Sequence, residues 1–90
     1  MTSRVITNTG ASLSAVKTGE VARIQKMEGG RQFLSRLASL GFTPGAQLQV
    51  VQNYGRGPII VTLRGTRIAL GRGEASRIVV EKAGHTGDGR

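Results

Sequence analysis

Short runs in which apolar and polar residues alternate make up most of this chain, and a single run at helical spacing interrupts them. Val21-Ala22-Arg23-Ile24-Gln25-Lys26 alternates in part and reads as a first strand, ended by Gly29-Gly30. From Arg31 to Leu40 the period changes. Phe33, Leu34, Leu37, Ala38 and Leu40 fall on one face of a helix, and Gln32, Ser35, Arg36 and Ser39 fall on the other. The stop is explicit. Gly41 suits the left-handed residue that follows a helix, Phe42 can fold back on Leu37, and Pro44 blocks continuation. Pro44-Gly45 also fits the centre of a type II turn.

The second half predicts strands only. Leu48 and Val50 alternate with Gln47 and Gln49. A Gly-rich link, Tyr54-Gly55-Arg56-Gly57-Pro58, leads to Ile59, Val61 and Leu63 on one side of a strand, with Thr62 and Arg64 on the other. Gly65-Thr66 has the length and composition of a two-residue hairpin with glycine first, and Ile68 and Leu70 return. Glu74-Ala75-Ser76 reads as one helical turn, and Ile78 and Val80 carry the last strand. Residues 1–12 are polar and aperiodic, so they read as a flexible lead-in, with Leu13 and Val16 placed to dock. Residues 13–82 form the expected domain, and 83–90 read as a disordered tail. The prediction is a mainly β fold, a small barrel of about five strands with one inserted α-helix, because closing a sheet on itself removes exposed edges and lets a short chain bury one apolar face.

Composition narrows the function classes. Ninety residues suit one domain. Aromatics make up 3% of the chain, so the core must be built from Val, Ile and Leu. Without cysteine there are no disulfides, zinc knuckles or thiol chemistry. Neither a signal peptide nor a run approaching the ~20 apolar residues of a membrane helix is visible, so a soluble, cytoplasmic protein is expected. The formal charge of +8 admits nucleic acid, anionic lipid or an acidic protein face as partner, and selects none of them.

Candidate metal ligands are His85, Asp88, Glu20, Glu28, Glu74 and Glu81. A protein site wants three or four converging groups, and the one histidine sits in the tail, so the expectation is no certain cofactor and at most a weak transition metal such as ferrous iron or zinc. Lys17-Thr18 lacks the preceding glycine of a phosphate loop, and Gly55-Arg56-Gly57 and Gly71-Arg72-Gly73 lack dinucleotide spacing. No serine has a base assembled beside it in sequence, so no enzymatic activity is expected. Arg56, Arg64, Arg67 and Arg72 read equally as a basic patch for an acidic partner and as solvated strand ends that guard sheet edges. Tyr54 alone is a thin platform for stacking bases.

The ordered set of motifs resembles the FeoA family. It comprises Gly19 to Ile24, Gly29-Gly30, Leu34 to Gly45, Gly57 to Leu70 and Glu74 to Val80, within residues 13 to 82. The resemblance implies an SH3-like barrel with an inserted helix. It also implies an accessory role in ferrous-iron transport, with the cytoplasmic GTPase part of the FeoB permease as protein partner. Arg31, Arg36, Arg56, Arg64 and Arg67 are the expected partner-binding residues. A stand-alone metal-linked regulatory domain and a basic nucleic-acid-binding barrel are the alternatives. Pairing of two copies through a strand edge is a further expectation.

Overall fold

The structure, a computed structural model, describes residues 10–82. Six strands form one antiparallel sheet: β1 (Ala11–Ser12), β2 (Val21–Met27), β3 (Gln47–Gln52), β4 (Ile59–Leu63), β5 (Thr66–Leu70) and β6 (Ile78–Lys82). A 3-10 turn (Leu13–Ala15) follows β1. Helix α1 (Arg31–Ser39) links β2 to β3, and the single turn α2 (Arg72–Ala75) links β5 to β6. The strand order is β1-β6-β2-β3-β4-β5, so among the described residues β1 and β5 are free edges and no ladder joins them; unlike the closed sheet that the sequence reading expects, this one is not closed on itself. Register shifts at Gln25 in β2 and Val51 in β3 mark bulges, which add the local bend that curls short strands around one core.

Alternation sets the core. In β4, Ile59, Val61 and Leu63 point inward, while Ile60 and Thr62 point out and are only half-buried. Ala22, Ile24, Leu48, Val50, Ile68, Leu70, Ile78 and Val80 complete the aliphatic lining. Leu13 and Val16, fully buried, plug the side that the sheet leaves open. No polar or charged residue is buried among the described residues, so the core stabilises by apolar area and packing alone.

The helix stop follows its sequence signals. Gly41 has φ +98°; its N–H donates to the Ala38 carbonyl at 3.0 Å, and the Phe42 N–H donates to the Leu37 carbonyl at 2.9 Å. This is a Schellman ending, and it drops Phe42 into the core beside Leu37. Thr43 to Ala46 then form the type II turn, with the Ala46 N–H donating to Thr43 and Gly45 at φ +93°. The Gly45 N–H and Ala46 carbonyl bond to the Ile24 backbone, which hangs the turn on β2.

Four details depart from the sequence reading. The sheet begins two residues earlier than the expected domain edge, because Ala11 pairs with Val80 and Ser12 with Val79. The short helix occupies Arg72–Ala75, ahead of the expected Glu74–Ser76. The buried stripe of α1 is narrower than its apolar arc. Leu37 is buried and Phe33 and Leu34 are partly so, but Ala38 is exposed and Leu40 keeps 40% of its surface. Finally, the hairpin turn is Arg64-Gly65, not Gly65-Thr66. Leu63 pairs with Thr66 and Thr62 with Arg67. Both registers put the same residues inside. The observed one pairs all five residues of β4 with β5 and avoids setting Arg64 opposite Arg67, an unfavourable like-charge pair.

The two turn residues have φ +53° and +81°, as a type I′ turn requires, and Arg64 is the one non-glycine residue with positive φ among the described residues. Such a backbone costs an L-residue roughly 1–2 kcal/mol, and asparagine tolerates it better. Arg64→Asn is therefore expected to raise stability by about 0.5–1 kcal/mol. A shift of the urea midpoint to higher concentration at constant slope checks this; an unchanged or lower midpoint contradicts it.

Candidate functional site: a basic surface around a side-chain latch

The ion pairs sort the charges. Glu20 pairs with Lys82 at 3.2 Å, Glu28 with Lys26 at 3.2 Å, Glu81 with Arg23 at 3.2 Å, and Glu74 with Arg36. Every acidic residue among the described ones thus has a basic partner. Four of the five arginines singled out from the sequence, Arg31, Arg56, Arg64 and Arg67, have no acidic group within 4.0 Å among the described residues. Arg36 differs, since it ties the last turn of α1 to α2 through Glu74.

These arginines do not form one cluster. Arg31 opens α1, at the positive end of the helix dipole. Arg56 lies in the β3–β4 loop. Arg64 sits at the far tip of the β4–β5 hairpin, next to the C-terminal end of α1: a Cβ on Gly41 would lie 3.6 Å from its Cδ. Arg67 faces out from β5, cross-strand from Thr62. Arg64 and Arg67 thus share the β4–β5 hairpin, and exposed Leu40 lies next to Gly41 in sequence.

Arg72, read from the sequence as a surface cation, is used structurally. Its guanidinium donates to the Gly57 carbonyl at 3.0 Å, the Ser14 carbonyl at 3.2 Å and Asn53 Oδ1 at 2.9 Å. Asn53 Nδ2 donates to the carbonyls of Ser14 (3.1 Å) and Val16 (2.7 Å), and its Oδ1 also accepts from the Gly55 N–H at 3.0 Å. The Asn53 N–H donates to Thr18 Oγ1 at 2.9 Å. Asn53 and Arg72 therefore latch the 3-10 turn, the β3–β4 loop and α2 together. The sequence reading singles out Arg72 only as a surface cation and passes over Asn53, because their partners lie far along the chain. Tyr54, beside this latch, is 75% exposed. Phe33, expected in the core, is partly buried and lies under the Arg77 guanidinium, 5.6 Å from ring centroid to Cζ.

Of the metal candidates, Glu20, Glu28, Glu74 and Glu81 are spread over separate ion pairs, and no three His, Cys, Asp or Glu side chains converge among the described residues. His85 and Asp88 lie outside the described residues. No described helix is long and apolar enough to cross a membrane.

An SH3-like, mainly β domain with a partly open sheet and a basic outer edge is the class that this geometry defines. The FeoA domain family matches residues 11–82, and the chain belongs to that family. A protein of Methanocaldococcus jannaschii named "Putative Fe(2+) transport protein A" is 38% identical over 76 residues, spanning 84% of this chain and 92% of that one. The crystal structure of an iron uptake regulatory protein (FeoA) matches with TM-score 0.78 and 36% identity, covering 83% of this chain and all (100%) of that one. A manganese-dependent transcriptional repressor shares the fold, with TM-score 0.77 and 24% identity over 89% of this chain and 45% of its own.

Two predictions follow from this chemistry. Asn53→Ala strips two donors and one acceptor from the latch and is expected to cost about 2–3 kcal/mol; Arg72→Lys, which cannot reach three acceptors at once, should cost about 1–2 kcal/mol. Urea unfolding of both variants measures this, and losses below about 0.5 kcal/mol would contradict a latch role.

The second concerns acid. The Gly71 N–H, then the Arg36 guanidinium, hold the Glu74 carboxyl below its ordinary 4.5 despite partial burial; the Lys17 N–H, then Lys82, do the same for Glu20. A carboxylate with a lowered folded value stabilises above its unfolded value, and that contribution fades as pH falls through the folded value. The urea midpoint should fall progressively below about pH 4.5, and the Glu20→Gln/Glu74→Gln double variant should show a shallower fall. Parallel acid profiles for the two proteins would rule these carboxylates out as the cause.

Proposed function

We propose that this protein is a small, non-catalytic accessory of ferrous-iron transport that works in the cytoplasm. In this reading it binds the cytoplasmic GTPase part of a FeoB-type permease and modulates uptake. One observation carries the reading: the family match and the 38% identical iron-transport relative both extend over nearly the whole folded domain. The charge arrangement supports a protein partner of complementary sign. Among the described residues the acidic side chains are consumed in internal pairs, while exposed Arg31, Arg56, Arg64 and Arg67 have no acidic group within 4.0 Å. Such charges steer encounter and select partners more than they add affinity.

Calorimetric titration of the full chain into the soluble GTPase domain from the same cell, with and without guanine nucleotide, tests it. Saturable binding that survives about 0.15 M salt is expected. Arg64→Asn should weaken that binding by roughly threefold to tenfold while leaving the fold intact. No association at low salt and high concentration would overturn the reading, and binding to non-specific RNA alone, lost as salt rises, would replace it with nucleic-acid binding.

A further inference from the structure

Among the described residues the sheet stops at β5, and no strand lies beside its outer edge. In a two-residue hairpin closed by the Leu63–Thr66 pair, alternate residues bond back to the neighbouring strand. Thr66, Ile68 and Leu70 do so, which turns the N–H and C=O of Arg67 and Ala69 away from β4. No turn, loop or side-chain hydrogen bond among the described residues reaches these four groups, and both residues are exposed. The opposite edge, β1, is two residues long and offers far less. On the outward face, half-buried Ile60 stands cross-strand from Ala69, and Arg67 stands beside them with no acidic partner within 4.0 Å among the described residues. Arg64 extends the same positive edge at the hairpin tip, held there in a backbone conformation that disfavours arginine.

We propose that the β5 edge accepts an extended acidic segment of a protein partner as a seventh strand. Main-chain bonds to Arg67 and Ala69 supply the pairing, carboxylates on the segment meet Arg67 and Arg64, and an apolar side chain packs on Ile60 and Ala69. A second copy of this chain fits worse. Pairing two β5 strands through the same groups brings each Arg67 diagonal to its mate, and like charges repel across a ladder. The proposal rests on the protein-partner reading above and adds the mode of binding.

The test is amide hydrogen exchange by NMR on the full chain. It is run once with the soluble GTPase domain, and once with a synthetic heptapeptide, Thr-Glu-Thr-Val-Thr-Glu-Thr, whose glutamates and valine share one face of the strand. Slowing of Arg67 and Ala69 exchange by at least about tenfold is expected on binding. Ala69→Pro removes an outward N–H and leaves the ladder to β4 intact, as proline at a sheet edge can. It should lose about tenfold or more in affinity, as should Arg67→Glu. If the GTPase domain binds without protecting these amides, the edge proposal fails and the partner reading stands. If the peptide binds with protection and the GTPase domain does not bind, the edge stands and the partner reading fails. If neither binds, both fall. Should Ala69→Pro not fold, the exchange pattern of the unaltered chain still decides.

Discussion

The contact between Asn53 and Arg72 closes what the backbone ladder leaves open. Among the described residues, six short strands around an aliphatic core have two free edges, and no main-chain ladder joins β5 to β1. The side chains of Asn53 and Arg72 join the segments that follow those edges instead, gathering the carbonyls of Ser14, Val16 and Gly57 onto two side chains. Buried Leu13 and Val16 fill the same side from within. Without the latch these two would depend on their apolar contact, the short β1 pairing and flanking bonds such as the Gly19 N–H to the Val50 carbonyl at 2.7 Å. A guanidinium suits the place because its planar fork serves several acceptors at fixed angles, which a flexible ammonium does not.

Much of this architecture was legible because the sequence writes local rules plainly. The Gly41-Phe42 ending, the Pro44-Gly45 turn and the inward set Ile59, Val61, Leu63, Ile68, Leu70 each depend on neighbours a few residues away. What escaped depends on neighbours far along the chain. Ala11-Ser12 joins the sheet by backbone pairing with residues 79 and 80, which leaves no periodicity to read. The hairpin frame was ambiguous because a two-residue change of register keeps every side chain on its face; charge opposition and pairing length decide it. Arg72 looked like one more surface cation because its three acceptors come from residues 14, 53 and 57. Leu40 and Ala38 sit on the apolar arc of α1, yet the narrow seat around Leu37 leaves them in water.

The candidate interface was legible only in part, for a related reason. Sequence identifies arginines; only the fold separates those already employed from those still available. Arg36 and Arg72 are employed, one in an ion pair and one in the latch. Arg64 and Arg67 remain, and the hairpin places them along a strand whose backbone is also unengaged. A net charge that merely permits many partners thereby becomes a directional feature, with hydrogen-bonding geometry attached.

The pairing of Ala11 with Val80 has an architectural consequence. The domain's first and last strands are neighbours, so the described polypeptide enters and leaves side by side. Such a unit behaves as a cassette. It can be spliced beside another module with little strain at the junction, since termini that meet at a surface tolerate fusion. The manganese-dependent transcriptional repressor matches this fold over 45% of its length, so the same small body also occurs within a longer chain.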